Sequence, residues 1–124
     1  MRTFTAPDAA APVGPYSPAV EAGGLVFASG QIALDAEGQM VGYTAPDQAR
    51  RALENLKRLL ATAGLDLSAV VKTTIFLTDM ADFAAVNEVY ADYFSEPFPA
   101  RSTIQVAALP KGAKVEIEAV ATRA

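Results

Sequence analysis

The 124-residue sequence contains no histidine and no cysteine, and these two absences remove the most common catalytic chemistries. Without cysteine there is neither a disulfide nor a thiolate nucleophile. Without histidine the chain lacks the most frequent general base and the most frequent metal ligand. No group of acidic residues has the spacing of a calcium loop or of a two-metal site. An enzyme built from this sequence must therefore work with carboxylates, arginine, hydroxyl groups and water.

The sequence also lacks a basic stripe and a long apolar run. Its formal net charge is -4, and its lysines and arginines are scattered among acidic residues, which argues against a nucleic-acid partner. The N-terminal segment has no apolar core long enough for a signal peptide or a membrane span. We therefore expect a soluble cytoplasmic protein with no membrane partner. Because 52% of the residues are hydrophobic, we expect one compact domain over residues 1–124.

The apolar pattern predicts an α+β fold in the order β-β-α-β-α-β-β. Two β-type runs flank Gly23 and Gly24, and Gly30 near the end of the second run indicates a bulge or a close backbone approach. The other predicted elements are a short strand within RTFT at 2–5, a helix over 44–64 with Thr44 as N-cap and Gly64 after its last turn, a strand at 70–77, a helix over roughly 80–94 capped by Asp79, and strands at 102–109 and 114–122. Both crossovers are long enough to place their helices on one face of a mixed sheet.

The predicted sheet has a second face that two helices cannot cover. Apolar side chains occur on both sides of its strands, among them Phe27, Phe76, Ile104 and Val120. Left exposed, this face would form a large apolar patch. Burial against identical subunits is the simplest solution, so we expect a closed homo-oligomer.

Arg101 and Glu116, on the last two predicted strands, are the candidate working pair. Arginine is no general acid or base because its pKa lies above about 12, but its guanidinium can bind a carboxylate or phosphate through two parallel hydrogen bonds. If the two strands pair, Glu116 lies near Arg101 and can orient or deprotonate water. From these residues alone an ordinary surface ion pair is the more frequent explanation. Glu116 and Glu118 also fit the solvated face of an edge strand.

Other polar residues carry weaker signals. Tyr16, in GPYSP, is typical of a packed turn aromatic, and Asn87 is typical of a polar helix surface. The segment Ser29-Gly30-Gln31 has no Gly-x-Ser-x-Gly elbow and no histidine partner, which argues against a serine nucleophile.

Several segments, taken in their order and spacing, resemble the RidA/YjgF family, the reactive-intermediate enamine/imine deaminases. No single motif is decisive, but together they cover nearly the whole chain. They are GPYSPAV at 14–20, LVFASGQI at 25–32, the segment 55–94 that includes DLSAVVKTTIFL, PARS at 99–102 and LPKGAKVEIEAVA at 109–121.

This resemblance implies a chorismate-mutase-like α+β fold and a homotrimer with three active sites in the clefts between subunits. It implies hydrolysis of 2-iminoacids, formed from enamines such as 2-aminoacrylate, to 2-oxoacids and ammonia, with no cofactor and no metal. Two alternatives stay open. One is a regulatory module that binds 2-oxoacids with little turnover, and the other is a ribonuclease or translation inhibitor, an activity assigned to some relatives.

The resemblance also implies roles for individual residues. Arg101 matches the carboxylate-binding arginine of the family, and Glu116 matches its water-orienting glutamate. The expected substrate-binding positions are Tyr16, Ser29, Gly30, Asn87 and Thr103. Thr103 is a departure, since many members carry cysteine there. If the backbone N–H of Thr103 contacts the substrate, the change should be tolerated, and if its side chain shapes the pocket, the substrate preference is expected to differ. The loop SEPF at 95–98 also looks shorter than in some relatives, which implies a different pocket rim.

Overall fold

The structure is a computed structural model that describes all 124 residues. It contains the predicted elements in the predicted order, and the short N-terminal strand pairs with the next one. The elements are β1 (Arg2–Phe4), β2 (Ala19–Ala22), β3 (Leu25–Gln31), α1 (Ala45–Thr62), β4 (Val70–Leu77), α2 (Phe83–Ala91), β5 (Ala100–Gln105) and β6 (Val115–Thr122).

The eight elements form one six-stranded mixed sheet with two helices. The strand order is β1-β2-β3-β6-β4-β5, so β6 lies between β3 and β4 and runs antiparallel to both. Strands β4 and β5 are parallel, because the α2 crossover returns the chain beside β4. Strands β5 and β6 do not pair, so the condition that would bring Glu116 near Arg101 is not met. Strand β4 lies between them and pairs with both.

Helix α1 follows its sequence signals closely. The Thr44 hydroxyl accepts a hydrogen bond from the Asp47 N–H at 3.2 Å, and Gly64 after the helix has φ of +74°. Its apolar face is fully buried, with Leu53, Leu56 and Leu60 each at 0% exposure. Burial of such a side chain contributes about 1.5–3 kcal/mol. Neither helix has the length and apolar character required to cross a bilayer.

The segment around α2 differs in its boundaries from the predicted helix over 80–94. Asp79 caps a separate 3₁₀ turn, since its carboxylate accepts a hydrogen bond from the Ala81 N–H at 2.9 Å. The α-helix begins only at Phe83 and ends at Ala91. Strand β5 likewise begins two residues earlier than predicted, so Arg101 lies inside the strand.

The two faces of the sheet differ as expected. On β6 the side chains of Val115, Ile117, Ala119 and Ala121 point to the helices, and none is more than 4% exposed. On the opposite face, Phe27 is 42% exposed and Ile104 of β5 is 46% exposed. An apolar face of this kind is typical of a subunit interface. Homo-oligomer formation stays a prediction.

Candidate functional site

Four of the seven predicted site residues surround one cavity. It has a volume of about 350 Å³ and lies between the N-terminal segment and the end of β3. The four residues are Tyr16, Ser29, Gly30 and Glu116. Most of the remaining wall is alanine, proline and aliphatic side chains, which makes this a mainly apolar cavity with one carboxylate in its lining.

A β-bulge shapes the wall of the cavity next to Glu116. Ala28 pairs with Ala119 and Gln31 pairs with Ile117, so Ser29 and Gly30 together stand opposite a single residue of β6. The predicted irregularity at Gly30 is therefore present. It brings the backbone against the Glu116 side chain so closely that a methyl group on Gly30 would lie 2.5 Å from Glu116 Oε2.

Ser29 holds the segment that carries Tyr16. Its hydroxyl donates to the Ser17 carbonyl at 2.8 Å, and its backbone N–H donates to the Pro18 carbonyl at 2.8 Å. These bonds fasten the stretch around Tyr16 to β3. The Tyr16 side chain is 51% exposed at the cavity, so it is no buried turn aromatic. Direct contact of Ser29 with a substrate stays a prediction.

Glu116 has the properties of a carboxylate that can exchange a proton. Partial burial raises the pKa of Glu116, and the negative charge of Glu118 raises it further. The solvated-edge alternative for Glu116 is wrong, because β6 is a central strand and the carboxylate lies in the cavity wall. A carboxylate with a raised pKa is a stronger base than an exposed one.

Replacing Gly30 by alanine is expected to displace the Glu116 carboxylate and to reduce turnover of the substrate by about 10- to 100-fold. The φ of Gly30 is not in the left-handed region, so the loss would come from the collision of the new methyl group with Glu116. The measurement is kcat/KM beside the thermal unfolding midpoint. Gly14→Ala is the matched control, since its methyl group would meet the Tyr16 ring at an ordinary 3.6 Å. Equal loss in both variants would contradict this account.

The charge of Glu118 is expected to shift the pH dependence of turnover. Glu116 must be ionised to accept a proton, so activity is lost as pH falls through its raised pKa. Glu118→Gln removes one of the two causes of that rise, and the acidic limb of the kcat/KM profile should move to lower pH. Burial of Glu116 persists, so the shift is partial. A pH–rate profile of both proteins measures it, and an unmoved limb would exclude Glu116 as the titrating group.

Arg101, on strand β5, lies in a second cluster together with side chains of helix α2. Its Nη1 donates to Asn87 Oδ1 at 2.6 Å. Its guanidinium carbon lies 4.9 Å from the ring centroid of Tyr90 and 5.7 Å from that of Phe83. The ion pairs of the chain are Arg50–Asp92 and Arg123–Glu21, so Arg101 forms none. The alternative of an Arg101–Glu116 ion pair within the chain is therefore wrong.

Thr103 shares a strand face with Arg101. In the β4–β5 ladder, Arg101 pairs with Thr73 and Thr103 pairs with Ile75, and both partners point to the helices. The Thr103 hydroxyl oxygen is buried and has no hydrogen-bond partner. An unpaired buried hydroxyl costs about 1–3 kcal/mol. The predicted contact of this residue with substrate stays a prediction.

Arg101 and Glu116 cannot meet within one chain. Strand β4 separates their strands, and paired residues in a ladder share a face. Arg101 pairs with the buried Thr73 on the helix-covered face, whereas Glu116 pairs with Phe76 and points to the opposite face. The predicted site residues thus fall into two separate clusters. We call them the cavity half-site, with Tyr16 and Glu116, and the arginine half-site, with Arg101 and Asn87.

Comparison with known proteins identifies the family. A family model described as Endoribonuclease L-PSP matches residues 6–123. The chain belongs to the RidA/YjgF family. Reactive Intermediate Deaminase A, chloroplastic, of Arabidopsis thaliana is 54% identical over 115 residues, which are 92% of this chain and 62% of that protein. The 2-iminobutanoate/2-iminopropanoate deaminase of Homo sapiens is 48% identical over 122 residues, which are 98% of this chain and 87% of that protein.

The solved structures agree with this assignment. Escherichia coli TdcF, crystallised with bound serine, matches with a TM-score of 0.92 at 42% identity, and the match covers 100% of both chains. The chorismate-mutase-like α+β fold of the RidA/YjgF family is therefore the fold of this chain. The names of its relatives support a deaminase role for the family.

Two features of this family member were missed by sequence reasoning. Phe83 and Tyr90 were not among the predicted site residues, yet their rings contact the Arg101 guanidinium. Their spacing from Asn87 was the available signal, since positions i, i+4 and i+7 share one helix face. Lys111 was also missed. It lines the cavity from a turn in which its own φ is +57°, and its Nζ donates to the Gly38 carbonyl at 3.2 Å.

Proposed function

We propose that this protein is an enamine/imine deaminase that hydrolyses 2-iminoacids to 2-oxoacids and ammonia. The observation that carries the proposal is Arg101, an arginine with no carboxylate partner, held by a neutral amide and two aromatic rings. Such a guanidinium keeps its charge and most of its five N–H donors for an incoming carboxylate. The name of the human relative supports the same substrate class, of which 2-iminopropanoate and 2-iminobutanoate are members.

The complete site is proposed to form between two copies of the chain. Because Arg101 and Glu116 lie on opposite faces of one sheet, a substrate that contacts both must lie between the arginine half-site of one subunit and the cavity half-site of another. The exposed apolar sheet face, with Phe27 and Ile104, supports this association. Such a head-to-tail contact can close into a ring. The homotrimer that the family resemblance implies is a ring of this kind with three equivalent sites.

In the proposed mechanism the protein supplies orientation and charge stabilisation. Arg101 binds the substrate carboxylate, and Glu116 accepts a proton from a water molecule beside the imine carbon. The water oxygen bonds to that carbon while the C=N π electrons move to nitrogen, and Glu116 returns the proton to that nitrogen, which gives a carbinolamine. Glu116 then takes the proton of the new hydroxyl group and transfers it to the nitrogen. The C–N bond breaks while the C=O bond forms, and ammonia leaves.

This chemistry fits a chain without histidine or cysteine. An imine is electrophilic enough to hydrolyse in water unaided, so no strong nucleophile is required. The Ser29 hydroxyl donates its proton to the Ser17 carbonyl, so water is the proposed nucleophile. The mainly apolar cavity lowers the local dielectric around Glu116 and strengthens its interactions with bound water.

A 2-oxoacid-binding module with little turnover is the second candidate, and the serine bound to TdcF is the observation that favours it. Ribonuclease activity is suggested by the description of the family model and by the names of two similar solved structures, each called a putative endoribonuclease. The net charge of -4 opposes it, because RNA binding gains its affinity from cationic side chains near phosphates.

The deciding experiment is an assay of the purified protein on imines generated in place by an amino-acid oxidase. We expect 2-oxoacid and ammonia to form well above the spontaneous rate at protein concentrations far below that of the imine. Calorimetric titration with 2-oxobutanoate is run in parallel. Binding of 2-oxobutanoate without faster imine hydrolysis would establish the regulatory module instead.

A further inference from the structure

The strand position of Arg101 does little to hold its side chain in one conformation. It lies on β5, the strand at one edge of the sheet, and it is exposed. An arginine side chain has about 2 kcal/mol of rotamer entropy to lose when it is held in one place. A guanidinium with many accessible rotamers binds a carboxylate weakly, because two of its N–H groups must be aligned with the two carboxylate oxygens. The neighbouring helix α2 supplies the missing support.

Three side chains of α2 form a cradle under the guanidinium. Phe83, Asn87 and Tyr90 occupy positions i, i+4 and i+7 and so share one helix face. The two rings lie within about 6 Å of the guanidinium carbon, the range in which a cation is attracted to an aromatic face. Asn87 accepts one hydrogen bond. Its neutral amide fixes the orientation of the guanidinium and leaves the positive charge of Arg101 unpaired. An aspartate at this position would neutralise that charge.

The Tyr90 ring is itself held firmly. Its hydroxyl shares a 2.8 Å hydrogen bond with the hydroxyl of Thr73, a residue of β4 with 0% exposure. Its ring stacks on Phe94 with centroids 4.4 Å apart. Burial raises the pKa of the Tyr90 phenol above its usual range, which already lies above physiological pH, so the phenol is neutral. Tyr90 therefore serves as an aromatic surface anchored to the central sheet, and its hydroxyl is already occupied.

We infer that Phe83, Asn87 and Tyr90 are positioning residues for the deamination reaction, acting through the Arg101 guanidinium. This inference rests on the proposed function. The cradle fixes the orientation of the Arg101 guanidinium. It therefore controls the affinity of the enzyme for the carboxylate that 2-iminoacids and 2-oxoacids share. It does not touch the reacting carbon, so loss of the cradle raises KM more than it lowers kcat.

The test compares two tyrosines. Tyr90→Leu removes the ring under Arg101 and is expected to raise KM for a 2-iminoacid about 10-fold, with a matching rise in the inhibition constant of 2-oxobutanoate. The change in kcat should stay below about 3-fold. Tyr90→Phe keeps the ring and should restore most of the affinity. Tyr93→Leu is the control, because Tyr93 lies just beyond the same helix and bonds to Glu54 instead.

The outcomes separate positioning from general stability. Similar losses of thermal stability in Tyr90→Leu and Tyr93→Leu, with KM raised only in the first, would support the inference. An unchanged KM in Tyr90→Leu would overturn it. If Tyr90→Leu does not fold, Asn87→Ala at an exposed position serves the same purpose, and an unchanged KM there would also overturn the inference. Wild-type protein that fails to accelerate imine hydrolysis would refute the proposed function, and the cradle would then be judged by the affinity for 2-oxobutanoate.

Discussion

Arg101→Ala is expected to lower kcat/KM for 2-iminoacids by roughly 100- to 1,000-fold. Truncating one partner of a charge-assisted carboxylate contact typically costs about 2–5 kcal/mol, and each 1.4 kcal/mol is a factor of ten. Arg101→Lys keeps the charge but loses the planar fork and the stacking on Tyr90 and Phe83, so it should recover only a small part of the activity. The measurement is 2-oxoacid formation above the spontaneous rate of imine hydrolysis.

A second arginine provides the matched control for this result. Arg50 is paired with Asp92 at 3.4 Å on the surface and lies outside both half-sites. Arg50→Ala should leave kcat/KM near the wild-type value. Full turnover by Arg101→Ala, or an equal loss in Arg50→Ala, would refute the assignment of Arg101 as the carboxylate-binding residue.

Mixing two inactive variants is expected to restore activity. Arg101→Ala and Glu116→Gln each remove one half-site and should each be nearly inactive as pure trimers. In trimers assembled from equal amounts of both, about one interface in four joins the intact arginine half-site of one subunit to the intact cavity half-site of its neighbour. We therefore expect about a quarter of the wild-type activity after the two are unfolded and refolded together.

The controls for this experiment come from the same two variants. Mixing without refolding keeps the trimers pure and should restore nothing. Glu116→Gln should fold well, because the raised pKa of Glu116 means that its stabilising contribution is present at low pH and is lost as pH rises through that pKa. Its unfolding midpoint near pH 7 should equal or exceed that of the wild type. Inactive mixed trimers would contradict a site shared between subunits.

Local features of the chain were predictable because their causes are local. Thr44, Gly64 and the β-branched run at 70–77 act on neighbouring residues through caps, backbone conformation and strand propensity, and all three predictions are confirmed. The bulge at Gly30 was indicated by the glycine alone. The start of α2 at Phe83 was not, because the preceding 3₁₀ turn uses the same aspartate cap as an α-helix.

The relation between Arg101 and Glu116 was not predictable from their closeness in the sequence. Residues on consecutive strands pair often, but the order of strands depends on which apolar surfaces pack best over the whole sheet. Here β6 enters the centre and separates the two residues onto opposite faces. Two residues on strands that are consecutive in the sequence thus lie in separate half-sites, which the proposed association of subunits would bring together.

The sequence by itself determined the element order, the caps of α1, the alternating burial of β6 and, by resemblance, the RidA/YjgF family. Each of these depends on residue type and short-range spacing. Only the tertiary structure decided the strand order, the closeness of Gly30 to Glu116 and the support of Arg101 by Asn87 and Tyr90. Those features arise from contacts between residues far apart in the chain, which depend on how the helices pack across the sheet.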